Sequence, residues 1–175
     1  LEVARMHKGV SHVKVEFSGQ AAHGSTPGRG SNAVEAAARF VCRLKELAGE
    51  LARRDCEMGP PTVSVGRIEG GLKFNIVPDG CRLDIDRRLV PGEERDGVQE
   101  ELENILDEVG AEGSVEFDMF KRPLSTGREA RIVRHMEAVA GSKSTSMPYW
   151  TEAALYGAEG METVCCGPCS IQQAH

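Results

Sequence analysis

The chain is 175 residues long, enough for one domain or for one small domain plus part of another. An apolar fraction of 40% and a charged fraction of 27% fit a globular class and exclude wholesale disorder. A net charge of −6 with no Lys/Arg block argues against nucleic acid as a partner, and no apolar run reaches the length needed to span a membrane.

Aromatic residues make up only 5%, so the core must be built from Val, Leu, Ile and Ala. The six cysteines (Cys42, Cys56, Cys81, Cys165, Cys166 and Cys169) do not form a disulfide framework. Cys42 falls in a helical pattern and Cys81 in a strand pattern, where both are expected as small buried apolar groups. A reduced, cytoplasmic setting is the default. No signal-peptide pattern opens the chain. It begins at Leu1 and ends inside a motif-like phrase, so a piece of a longer reading frame is expected and missing targeting signals carry little weight.

Leu1–Gly9 is polar and mixed and reads as a lead-in. Val13, Val15 and Phe17 then alternate with His12, Lys14 and Glu16, the pattern of a half-buried strand with His12 on its polar side. Gln20–Asn32 (QAAHGSTPGRGSN) has no large apolar side chain and suits a ligand-facing loop, with His23 its most interesting residue. Asn32 is a candidate cap for a helix over 33–51, whose apolar positions are Val34, Ala37, Val41, Leu44, Ala48 and Leu51.

Gly59-Pro60-Pro61 breaks the chain before a strand over 62–68. Leu72–Pro78 reads as an extended connection and Asp79-Gly80 as a turn. Cys81, Leu83 and Ile85 alternate with Arg82, Asp84 and Asp86 in a third strand, which runs on into Arg87 and Arg88. A second helix carries Val98, Leu102, Ile105, Leu106 and Val109 on one face. Val115, Phe117 and Met119 mark a fourth strand. The order β-α-β-β-α-β is the ferredoxin-like arrangement, an α+β fold in which two helices cover one face of a four-stranded sheet. The other face must meet solvent, a second copy or another domain.

Beyond a boundary near Pro123, a helix is predicted over 128–140, a short one over 153–158, and a buried strand of a separate parallel sheet over 163–166. About fifty residues cannot close a core alone, so 123–175 is expected to be part of a larger domain. Cys166-Gly-Pro-Cys169 matches a thioredoxin-type dithiol, but no βαβ pattern precedes it. Cys166, Cys169 and His175 offer three ligands for a structural zinc site that needs four.

Four phrases occur in order: AAHGSTPGRGSNAVE (21–35), GGLKFNIVPDGCRLDIDRRLVPGE (70–93), YWTEA (149–153) and CGPCSIQQAH (166–175). Together they resemble the zinc-dependent amidohydrolases and exopeptidases that include acetylornithine deacetylase, succinyl-diaminopimelate desuccinylase, aminoacylase and glutamate carboxypeptidase. The last two phrases are most similar to the acetylornithine deacetylase branch. The resemblance implies a ferredoxin-like lid that dimerises, at 8–122, and a return into a catalytic domain at 123–175.

The resemblance further implies hydrolysis of N-acyl amino acids by a homodimer using two divalent metals, usually zinc, with cobalt or manganese as alternatives. It implies that His175 is a metal ligand, that His23 stabilises the oxyanion in the partner's site, that Asn75 contacts substrate, that Arg88 grips the substrate carboxylate, and that Thr151 and Glu152 touch substrate. Arg87 beside Arg88 leaves that position uncertain by one. Cys169 and Trp150 depart from the usual small residues. The family's first metal-binding histidine, bridging aspartate, general-base glutamate and remaining carboxylate ligands would lie before Leu1. A dimerisation module with no activity of its own is therefore the alternative.

Overall fold

The computed structural model describes residues 1–167. Its larger unit is a four-stranded antiparallel sheet in the order β4-β6-β2-β7, made of β2 (Gly9–Ser18), β4 (Thr62–Gly70), β6 (Gly80–Leu89) and β7 (Glu112–Lys121). Helices α1 (Ala33–Leu51) and α2 (Arg95–Glu108) pack on one face, giving the ferredoxin-like fold that the element order predicts.

Period-two patterning sets the two faces of the sheet. Val13, Val15, Phe17, Leu83 and Ile85 point at the helices and are buried. On the other face Lys14 meets Asp118 at 2.5 Å, Arg82 meets Asp84 and Arg88 meets Asp86. His12 stands half exposed 3.5 Å from Asp86.

Helix α1 starts where expected: Asn32 Oδ1 accepts the amides of Val34 and Glu35 at 3.0 and 3.2 Å. Its buried face is rotated from the predicted one and consists of Ala33, Ala36, Ala37, Phe40, Leu44, Leu47 and Leu51. Val34 and Val41 flank the core, and Cys42 is exposed, not buried. Phe40 decides the rotation. Its ring packs edge-on to Phe17 with centroids 5.4 Å apart, and only this face brings so large a side chain to the sheet. Cys81 is buried as expected.

Residues 1–9 are not the lead-in expected from their mixed composition. Glu2–His7 form β1, the central strand of a second sheet. It pairs antiparallel with β8 (Leu124–Ser125) and β10 (Cys165–Gly167), and parallel with β9 (Thr145–Met147). The strand expected at 163–166 thus exists as β10, but it runs antiparallel to β1. Helices α3 (Arg131–Ala140) and α4 (Ala153–Ala158) complete this unit.

β1 runs directly into β2 through Lys8 and Gly9. A Cβ at Gly9 would lie 2.5 Å from the Lys121 carbonyl oxygen, so only glycine fits where the chain passes between the two sheets. Arg5 pairs with Glu57, Lys8 Nζ donates to the Pro60 carbonyl at 2.6 Å, and Met6 packs on Met58 and Val90. These contacts fasten the base of the larger unit to β1.

Two outcomes follow. Phe40→Ala should lower unfolding free energy by about 3–5 kcal/mol, while Cys42→Ala should change it by no more than about 0.5 kcal/mol, in paired urea titrations. Glu137, at the end of α3, accepts the Ser144 amide and hydroxyl and the Lys143 ammonium, which hold its carboxyl at about 2 instead of the ordinary 4.5. A depressed carboxylate stabilises the fold above its unfolded value and loses that contribution as pH falls through its folded value. The difference in melting temperature between wild type and Glu137→Gln should therefore be full above pH 4.5 and vanish towards pH 2.

Candidate functional site

The predicted site residues fall in two groups, one at each end of the larger sheet. The first is the tip. β3 (Ala22–His23) pairs with β5 (Ile76–Val77), so residues 76–77 of the expected connection form a short strand. The Gly24 amide donates to the Asn75 carbonyl at 2.8 Å. A Cβ on Gly24 would lie 3.1 Å from the Asn75 backbone, so glycine permits this close approach. His23 and Asn75 are thereby held side by side.

His23 is exposed, and its hydrogen bonds define its tautomer. The Ser25 amide lies 3.2 Å from Nδ1 and can only donate, so Nδ1 accepts, and Ser25 Oγ sits 2.8 Å from the same atom. In the neutral ring the proton is therefore on Nε2, which leaves an N–H donor aimed away from the loop.

The second group is the base. His7, inside the segment expected to be a lead-in, is fully buried. Its Nδ1 donates to the Lys8 carbonyl at 3.0 Å, so Nε2 accepts from the Thr151 hydroxyl at 3.1 Å. Burial lowers the His7 pKa, in keeping with a neutral ring. The Thr151 oxygen also meets the Cys165 thiol at 3.1 Å and the Ala153 amide at 3.3 Å. Thr151 is thus a hub that fixes the start of α4, and the exposed Glu152 beside it carries the accessible carboxylate. The only signal for His7 in the sequence is a histidine following the apolar Val3, Ala4 and Met6.

Arg87 and Arg88 point to opposite faces of β6. Arg87 is 1% exposed among the helices and bonds Glu93 at 2.6 Å and Glu101 at 3.2 Å. Arg88 lies on the open face and grips Asp86 through two bonds, at 2.7 and 2.9 Å. A guanidinium in that fork can exchange one carboxylate for another.

Tip and base are far apart within one chain. Val10 faces Arg88 and Ser18 faces Gly80 in the β2–β6 ladder, a separation of about 25 Å at the usual rise per residue. The β3–β5 pair lies beyond the Ser18 end. Among the described residues no three His, Cys, Asp or Glu side chains could hold a metal. His175 and Cys169 lie outside the described residues, and Cys166 is exposed on β10.

These features define a ferredoxin-like domain rooted at one end in a second sheet and carrying a polar tip at the other. Residues 5–114 match the family described as the peptidase dimerisation domain, and the chain belongs to that family. It is 33% identical to an acetylornithine deacetylase of Myxococcus xanthus over 98% of its own length and 47% of the relative's. It is 30% identical to one of Edwardsiella ictaluri, covering 48% of that protein. The chain thus spans about half the length of the curated relatives it matches. Among solved structures, an aminopeptidase of Bacillus cereus matches with a TM-score of 0.74 at 21% identity, over 93% of this chain and 44% of that one. An M20 family metallo-carboxypeptidase of Sulfolobus solfataricus matches with a TM-score of 0.69 at 17% identity, over 93% and 58%.

The two arginines should separate in stability measurements. Arg87→Ala should cost about 3–5 kcal/mol because it breaks a buried ion pair. Arg88→Ala should cost no more than about 1 kcal/mol, as its partner is half exposed.

Proposed function

We propose that the chain is the lid and part of the catalytic domain of a metal-dependent hydrolase that cleaves the amide bond of N-acyl amino acids. It works in the cytoplasm as a homodimer formed through the lid, with each active site shared between two copies. The observation that carries this reading is the distance between tip and base. His23 and Asn75 cannot meet Arg88 and Glu152 of their own chain, so one small substrate can touch both groups only if they come from different copies. The names of the curated relatives make deacylation of N-acetylornithine or a close analogue the first substrate to try.

In this reading His23 of one copy turns its Nε2–H toward the oxygen that gains charge when the amide carbon becomes tetrahedral. Ser25 serves by keeping Nδ1 in the acceptor role. Asn75 contacts the same substrate from the tip. At the base, Arg88 passes from Asp86 to the substrate carboxylate, and Glu152, set in place by Thr151, contacts substrate at the start of α4. His175 is the one metal ligand assigned to this chain, with zinc the first choice and cobalt or manganese the alternatives. The described residues do not themselves fit a metal pair. That same observation favours a second reading for the isolated chain, a dimerisation module with no activity of its own.

In the complete protein, His23→Ala should lower turnover about 100- to 1,000-fold while leaving metal content unchanged, the usual loss when an oxyanion donor is removed. A decisive test mixes inactive His23→Ala with inactive Arg88→Ala under conditions that exchange subunits. Half of the re-formed dimers are hybrids with one intact site of two, so about a quarter of the wild-type activity should return. No recovery on mixing would overturn the shared site.

A further inference from the structure

Of the five phenylalanines, Phe17, Phe40, Phe117 and Phe120 lie in or against the core, while Phe74 is 104% exposed. It occupies, with Asn75, the centre of a turn closed by the Ile76 amide on the Lys73 carbonyl at 3.2 Å. Leu72 is 85% exposed two residues before it, Ile76 is exposed two residues after it, and Ile68 is exposed near the tip end of β4, an edge strand among the described residues. A single exposed apolar side chain is ordinary, but four around one rigid tip mark an interaction surface.

We infer that Phe74, with Leu72 beside it, is the apolar anchor that seats the lid tip against a second copy of this chain. The inference rests on the shared-site reading, and three observations name the occupant. The turn that carries Phe74 also carries Asn75, and the Gly24–Asn75 bond ties it to His23. Whatever receives the imidazole must therefore also receive the ring. Within one chain the base lies about 25 Å down the ladder from the tip, so a base that meets the tip belongs to another copy. The tip also stands at the end of a sheet whose edge strand β4 has no second neighbour among the described residues, in a domain of a dimerisation family.

Desolvating a Phe ring and a Leu side chain supplies the holding free energy, and an aromatic anchor costs little conformational entropy because it has few rotors. Phe74 acts as a positioning residue. It keeps Nε2–H of His23 within reach of the reacting oxygen, where a displacement of about 1 Å costs about 100-fold in rate.

The test uses the complete protein. Phe74→p-benzoylphenylalanine, irradiated, should give a covalent dimer on a denaturing gel. The same probe at the exposed Glu103 of α2 should leave monomers. Phe74→Ser should fold normally, since the ring is fully exposed among the described residues, and should lower kcat about 100-fold. Phe74→Leu should restore most of that loss. Monomers alone after irradiation, or wild-type turnover in Phe74→Ser, would remove the anchor. If His23→Ala and Arg88→Ala hybrids regain activity while position 74 fails, the shared site stands without this anchor. A covalent dimer with inactive hybrids keeps the contact between copies and removes the shared site.

Discussion

The long antiparallel ladder between β2 and β6 is the constraint on which the rest depends. Ten paired positions from Gly9–Leu89 to Ser18–Gly80 make a stiff rod, with His23 and Asn75 past one end and Arg88 at the other. Its backbone hydrogen bonds are buried between flanking strands, and two helices press on one side. Such a sheet does not bend to bring its ends together. The shared site proposed for this chain rests on that stiffness.

The base of the rod is held by an arrangement that costs free energy unless every group is satisfied. β1 and the link that follows it bury Arg5, His7 and Lys8 within four residues. Arg5 Nη1 donates to the Thr126 carbonyl at 2.8 Å and pairs with Glu57, whose carboxyl is held below its ordinary range chiefly by that contact. Lys8 reaches the Pro60 carbonyl, and burial lowers its pKa. His7 locks onto Thr151. Arg5 and Lys8 reach across the junction to Glu57 and Pro60, whereas His7 bonds within the second unit, so directional polar bonds fasten both sides of the joint.

The tip follows a different principle. Its backbone is tightly held by the β3–β5 pair and the Gly24–Asn75 contact, yet its side chains face outward: an imidazole, an amide and a phenyl ring. A rigid backbone with exposed side chains is suited to meeting something else at low entropic cost. The base and the tip thus divide two tasks, with polar bonds fixing geometry within the chain and exposed groups left for contact beyond it.

The sequence alone determined the four strands and two helices of the larger unit, their order and the inward faces of β2, β6 and α2, because these depend on local periodicity. It also marked the His23 loop and the Asn32 cap, whose chemistry lies within a few residues. It could not reveal β1, because a short strand buried on both faces and carrying Arg5 and His7 has no alternation to detect. It could not decide between Arg87 and Arg88, since adjacent residues on a strand look alike until one face is covered by helices. The rotation of α1 toward Phe40, the antiparallel course of β10 and the bond from His7 to Thr151, 144 residues apart, were decided only by tertiary structure. Each depends on which distant surface arrives opposite, and neighbours along the chain carry no record of that.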